Sequence, residues 1–207
     1  MNIASASKRR SRAEESFGSA AQCVGDIESG MALFAVTRGQ FSMLDVLTYI
    51  ITQVGECTVS VWTWAVAEYE VQCFEAFMQN KQISAGTMVI DLAGAKRSAS
   101  ILKNWREAFG DQSIRVCKNH AKIATIETAK FRVLVRGSMN LNFNPRFEQF
   151  DITEGGLDFD LVRKIENDLP VMEEPFTNAK SNAASSLGLA FEANTLQIFE
   201  GVKVWAK

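Results

Sequence analysis

The sequence predicts an α/β fold, a mixed and largely parallel β-sheet flanked by helices. Three observations predict it. First, β-branched and aromatic runs alternate with longer stretches whose apolar residues recur at helical spacing, the pattern of βαβ units. Second, 47% of the 207 residues are hydrophobic, enough for a proper core. Third, the apolar run ending at Glu127 and the run 131–135 are separated only by Thr128-Ala129-Lys130. These two strands lie next to each other as a hairpin, which makes the sheet mixed.

The elements follow in order. Residues 1–20 are polar and small, carry a basic cluster (Lys8, Arg9, Arg10, Arg12), and are expected to be disordered. Residues 32–37 form a short apolar run that Gly39 breaks. Ser42 has the chemistry of a helix N-cap with Asp45 three residues on, and Leu44, Leu47, Ile50, Ile51 and Val54 share one helical face up to Gly55. Residues 58–65 (TVSVWTWA) read as a strand in which Trp62 and Trp64 alternate with Val61 and Thr63. A helix over 68–79 presents Val71, Phe74 and Met78. A strand over 88–92 ends near Asp91. A helix over 98–109 presents Ile101, Leu102, Trp105, Ala108 and Phe109 and stops at Gly110. Residues 114–117 open the strand that leads into His120. A further strand covers 150–153, and a helix over 158–169 presents Phe159, Leu161, Val162 and Ile165. Pro170 and Pro175 close the α/β region. Residues 178–186 have linker composition, and 196–205 (LQIFEGVKVW) read as a hairpin. The expected division is therefore a basic tail (1–20), an α/β domain (21–176), and a linker with a hairpin-like appendage (177–207).

Cys23, Cys57, Cys73 and Cys117 are scattered without metal-ligand spacing and read as reduced thiols, which favours a cytoplasmic location. No signal peptide is expected, and no apolar run is long enough to span a bilayer. The net charge of −2 argues against a nucleic-acid partner, but its distribution argues the other way. Between Ser113 and Glu148, seven bases (Arg115, Lys118, Lys122, Lys130, Arg132, Arg136, Arg146) face only two acids. A basic segment on an acidic body suits a polyanion steered to one face.

The chemistry concentrates in 119–148. His120 and Lys122 are two apart and leave the same face of an extended strand. Glu127 follows, then Gly137-Ser138-Met139-Asn140, then Glu148. An imidazole, an ammonium, a hydroxyl, an amide and carboxylates gathered in one volume can hold and attack a phosphate ester. His120 can be a nucleophile, Lys122 and Asn140 can neutralise or hydrogen-bond the non-bridging oxygens, and a carboxylate can orient the ring. His-x-Lys, an acid, Gly-Ser-x-Asn and a trailing Glu, in that order, resemble the phospholipase D superfamily in its small single-motif nuclease branch. Glu127 stands where that family has Asp.

The resemblance implies a phospholipase D-like fold and a mechanism with two histidines, one forming a phosphohistidine and one acting as acid and base. This chain has a single histidine. An enzyme of this type is therefore expected to be a homodimer with His120 of each protomer at one shared site. Ser138 would bond the phosphate or a neighbouring motif side chain, and Glu148 would hold the imidazole. Glu127 would support Lys122, and Arg146 and Lys118 would meet flanking phosphates. In the family's corresponding strand a tryptophan approaches the site, so Trp62 or Trp64 could stack a base, with packing the equal alternative. No metal or cofactor is called for, because Lys, Asn and His do the charge work. The leading expectation is a metal-independent nuclease acting on DNA or RNA. The rivals are a non-catalytic nucleic-acid-binding or assembly protein of the same fold, and a phospholipid hydrolase.

Overall fold

In the computed structural model of the chain, residues 10–16 and 18–172 are described. The chain runs β1 (Arg10–Ser16), α1 (Ala20–Val24), β2 (Met31–Thr37), α2 (Met43–Val54), β3 (Cys57–Thr63), α3 (Glu68–Gln79), β4 (Ile83–Asp91), α4 (Leu92–Arg97) and α5 (Ala99–Phe109). It continues through β5 (Ile114–Cys117), β6 (Lys122–Glu127), β7 (Arg132–Gly137), β8 (Glu148–Glu154) and α6 (Leu157–Asp168). The eight strands form one sheet in the order β1-β2-β8-β7-β6-β3-β4-β5.

The mixed α/β class and the adjacency of the motif strands are as the sequence predicts. β6 and β7 pair antiparallel from Lys122↔Gly137 to Glu127↔Arg132. The balance of the sheet differs from the largely parallel expectation. β1/β2, β3/β4 and β4/β5 are parallel, whereas β2/β8, β8/β7, β7/β6 and β6/β3 are antiparallel. The cause is β8, which inserts between β2 and β7 and reverses direction against both.

Two further expectations are corrected. Residues 10–16 of the expected disordered tail form the edge strand β1, whose backbone pairs with all of β2. The strand of residues 114–117 does not run on into His120. β5 ends at Cys117 on the sheet edge, and β6 begins at Lys122 with β3 and β4 in between. Residues 118–121 therefore cross the ends of two strands. The expected linker and hairpin lie outside the described residues.

Local chemistry accounts for the helix starts. Ser42 and Asp45 form the reciprocal capping box at α2. Asp91 caps α4, its Oδ1 accepting from the amides of Ala93 (2.8 Å) and Gly94 (3.3 Å). Helices cover both faces. On one, Phe41 beside α2 packs edge-on against Phe150 of β8, and α5 and α3 meet through Trp105 and Phe74, 5.4 Å apart. On the other lies α6. Its Glu166 is 2% exposed and accepts hydrogen bonds from Ser60 Oγ and Trp62 Nε1 while pairing with Arg163. A buried carboxylate is tolerated only with such partners, so Glu166 fixes α6 to β3. No helix among the described residues is long and apolar enough to cross a membrane.

Candidate active site

The strand directions bring one edge of the sheet together. β2, β7, β3, β4 and β5 end there, and β6 and β8 begin there. In open α/β sheets this carboxyl edge is where ligands bind. His120, Lys122, Ser138, Asn140 and Glu148 all lie along it, although 28 residues separate the first from the last.

The crossing segment 118–121 positions His120. Asn119 is 6% exposed and acts as its anchor. Its Nδ2 donates to the carbonyl of Thr63 at the end of β3 (3.0 Å), its Oδ1 accepts from the Ala121 amide (2.9 Å), and its own amide donates to Asp91 Oδ2 (3.1 Å). Asp91 thus serves two elements, capping α4 with one oxygen and holding the crossing segment with the other. His120 stands exposed above this anchor. It is not on a strand, so the pairing with Lys122 arises differently from the expected alternation. The Lys122 ammonium donates to the His120 carbonyl oxygen at 2.8 Å and lies 3.4 Å from Nδ1 and 3.3 Å from Nε2. Near-equal distances put the ammonium beside the ring rather than along one lone pair.

Lys122 is 9% exposed. Burial lowers its pKa below the usual lysine value, and the Glu148 carboxylate opposes that shift. Lys122 lies directly across from Gly137, which has no side chain to fill the space beside it. A Cβ at Gly137 would stand 2.2 Å from the Gln149 carbonyl oxygen, so only glycine lets β7 and β8 close here. Ser138 follows at once. Its Oγ donates to Glu148 Oε2, its amide donates to Gln149 O at 2.9 Å, and Asn144 Nδ2 donates to Glu148 Oε1 at 3.3 Å. The turn beyond is held by buried Met139 and Leu141 and by α2, whose Met43 amide donates to the Asn140 carbonyl at 3.1 Å. The half-buried Asn140 side chain makes no hydrogen bond among the described residues, which leaves its amide for a ligand.

The remaining predicted residues divide. Glu127 is at the opposite end of β6, five residues or roughly 17 Å from Lys122, and lies 3.9 Å from Arg132. It does not join the site. Trp62 is 8% exposed, packs with Val89 and Leu169 beneath α6, and gives its indole N–H to Glu166, so it is core. Trp64, just past β3, is 41% exposed on the site edge with the Arg97 guanidinium 4.3 Å from its ring centre. Arg146 and Lys118 are exposed on loops at the same edge. Glu148 bonds Ser138 and Asn144, and no hydrogen bond joins it to His120 within the protomer.

The basic segment also divides. Arg132 and Arg136 pair with Asp160 and Asp158 of α6, and Lys130 sits over Phe131 at the far turn. These charges hold the fold. Cations at the site edge among the described residues include Lys118, Lys122 and Arg146, joined by Arg38 and Arg97 from outside the segment. The four cysteines are free. Burial pushes the thiols of Cys57 and Cys117 up to about 11, so they stay protonated and are poor nucleophiles at neutral pH. Among the described residues no three His, Cys, Asp or Glu side chains group as metal ligands.

Fold and site define an α/β protein that presents His, Lys, Ser, Asn and Glu at the carboxyl edge of a mixed sheet. No family model matches the chain, and no curated protein matches it. Solved structures with a partly similar chain path include a polyphosphate kinase from Porphyromonas gingivalis, with TM-score 0.47, 14% identity and coverage of 80% of this chain and 31% of that one. A phosphatidylserine synthase from Haemophilus influenzae Rd KW20 has TM-score 0.49, 13% identity and coverage of 81% and 46%. TrmBL2, an archaeal chromatin protein, has TM-score 0.43, 10% identity and coverage of 70% and 53%. The chain spans between about a third and about half of these chains.

Proposed function

We propose that this chain is a metal-independent phosphodiesterase that cleaves nucleic acid as a homodimer, in the manner of the phospholipase D superfamily its motif resembles. The observation that carries the reading is the His120–Lys122 pair, 3.3 Å apart on the exposed carboxyl edge, with Ser138, Asn140 and Glu148 beside it. One nitrogen of neutral His120 attacks phosphorus. The N–P bond forms as the bond to the leaving oxygen breaks, and the partner subunit's His120 gives that oxygen its proton. The same partner histidine then takes a proton from water, whose oxygen attacks phosphorus and releases His120. Lys122 and Asn140 hold the non-bridging oxygens, where a buried ammonium acts with little screening. Glu148 opposes the lowering of the Lys122 pKa by burial and fixes Ser138.

This chain carries one histidine, and a second copy of it supplies the other. A shared site places the two-fold axis beside His120 at the carboxyl edge, and we assign the rest of the interface to α6, which runs toward that edge with Leu157, Leu161 and Ile165 86%, 57% and 40% exposed at helical spacing, and to Phe34 of β2, 45% exposed. Leu157, Leu161 and Ile165 form an apolar stripe on a helix that already has a buried face, and such stripes mark contact surfaces.

The test is cleavage of labelled DNA and RNA in excess EDTA by wild type and His120→Ala. Loss of cleavage in the variant, with trapping of a phosphohistidine in wild type, supports the reading. Cleavage that survives in His120→Ala rejects it.

A further inference from the structure

The reaction edge carries two aromatic stations that the hydrolytic chemistry does not use. At one end, Trp64 follows β3 one residue after Thr63, whose carbonyl holds Asn119 beside His120. α4 packs hard against it. A Cβ at Gly94 would stand 1.9 Å from the Trp64 carbonyl oxygen, and this contact brings Arg97 over the indole. At the other end, Phe147 precedes Glu148 and is 69% exposed, with the Arg38 guanidinium 5.5 Å from its ring centre. Thr37, just before Arg38, pairs with Glu148 across β2 and β8. Phe143 on the same loop is 58% exposed, and Arg146 lies between the two phenylalanines.

β8 and β3 are three strand spacings apart, roughly 14 Å, with Lys122 opening the strand between β7 and β3 and His120 two residues before it. A phosphodiester held by Lys122 therefore has a ring with a guanidinium on either side of it. Exposed aromatic rings backed by arginine are costly surface unless something stacks on them. Unpaired bases offer two free π-faces and a charged backbone, and aromatic platforms with cationic flanks bind them with little regard to sequence. Paired bases are already stacked within a duplex and offer no face to either ring. An acyl chain would need an enclosed apolar channel, whereas these rings stand separately at the rim with cations over them.

We propose that Trp64 with Arg97 and Phe147 with Arg38 form base-stacking stations on either side of the reacting phosphate, so that the substrate class is single-stranded nucleic acid. This inference rests on the phosphodiesterase reading for the identity of the central site, but its test does not depend on turnover.

The experiment measures binding by fluorescence anisotropy in the cleavage-free His120→Ala background, in EDTA. Fluorescein-labelled DNA and RNA strands about 12 nucleotides long, within the site size of such grooves, are compared with the same strands annealed to their complements. The expected result is tighter binding of the single strands. Adding Trp64→Ala or Phe147→Ala should weaken it by roughly 5- to 100-fold each, and Trp64→Phe should restore much of it because a ring is retained. Far-UV circular dichroism and a thermal melt on each variant separate lost stacking from lost folding. Equal or tighter duplex binding overturns the proposal, as does single-strand binding indifferent to both alanine substitutions. Ring-dependent single-strand binding by a wild-type protein that cleaves nothing would uphold the stations and reject the hydrolytic reading. Ring-independent cleavage of duplex would do the reverse.

Discussion

Replacing Lys122 with methionine is the sharpest test of the site. Methionine keeps the stem length and removes the charge. The ammonium is buried beneath the histidine and donates to the His120 carbonyl at 2.8 Å, a charge-assisted bond worth about 1.5–3 kcal/mol. Against that loss, the variant no longer carries a charge that burial disfavours. The two effects oppose, so the urea midpoint should change little. Catalysis should not be spared. Removing one preorganised donor to a developing oxyanion lowers kcat by about 10²–10³, and Lys122 is the cation nearest His120. The assay is cleavage of a fluorescent oligonucleotide in EDTA at saturating substrate, with urea unfolding on the same samples. There is also a pH signature. Burial lowers the folded-state pKa of Lys122, so between that value and the ordinary lysine value near 10.4 the unfolded chain binds more protons than the folded one. Wild-type stability should therefore rise with pH through that window, and this rise should vanish in Lys122→Met. Cleavage within about threefold of wild type by a folded Lys122→Met protein would refute the role given to the ammonium.

Three other outcomes are expected. Glu148→Gln removes the charge that opposes burial at Lys122, so the alkaline limb of the kcat profile should move to lower pH, and an unmoved limb would remove Glu148 from that role. Glu166→Ala strands the Ser60 hydroxyl and the Trp62 indole N–H in the core and unpairs Arg163, and should cost about 3–5 kcal/mol in urea unfolding. A loss below about 1 kcal/mol, the scale of an ordinary hydrogen bond, would mean that α6 is held by packing alone. Leu161→Glu places a charge in the apolar stripe of α6 and should halve the mass seen by light scattering and abolish cleavage. A dimer that persists would move the interface elsewhere.

The sequence by itself determined the parts whose signals are local. Hydrophobic period and capping chemistry placed α2, α3, α5 and α6, because Ser42 with Asp45 and the helical stripes act within a few residues. The short Thr128-Ala129-Lys130 turn set the β6–β7 hairpin. The order of His120, Lys122, Ser138, Asn140 and Glu148 named five side chains that the fold brings to one edge.

Tertiary structure decided what depends on partners distant in the chain. The antiparallel bias came from β8 inserting between β2 and β7, a choice made by long-range pairing. β1 formed from a stretch that reads as a tail because an edge strand takes its backbone bonds from β2 rather than from apolar side chains. The short helix α4 went unseen, since its one signal was Asp91 as a cap before small residues. The same distance effects sorted the candidate residues. Glu127 and Lys122 are close in sequence, yet extended backbone carries them to opposite edges of the sheet. Trp62 and Trp64 look alike in the sequence, but α6 covers one and leaves the other at the rim. Arg132 and Arg136 counted as substrate charges until α6 supplied Asp160 and Asp158. Asn119, which hangs His120 across two strand ends, gives no sequence signal at all, because the carbonyls it binds are 30 and 56 residues away.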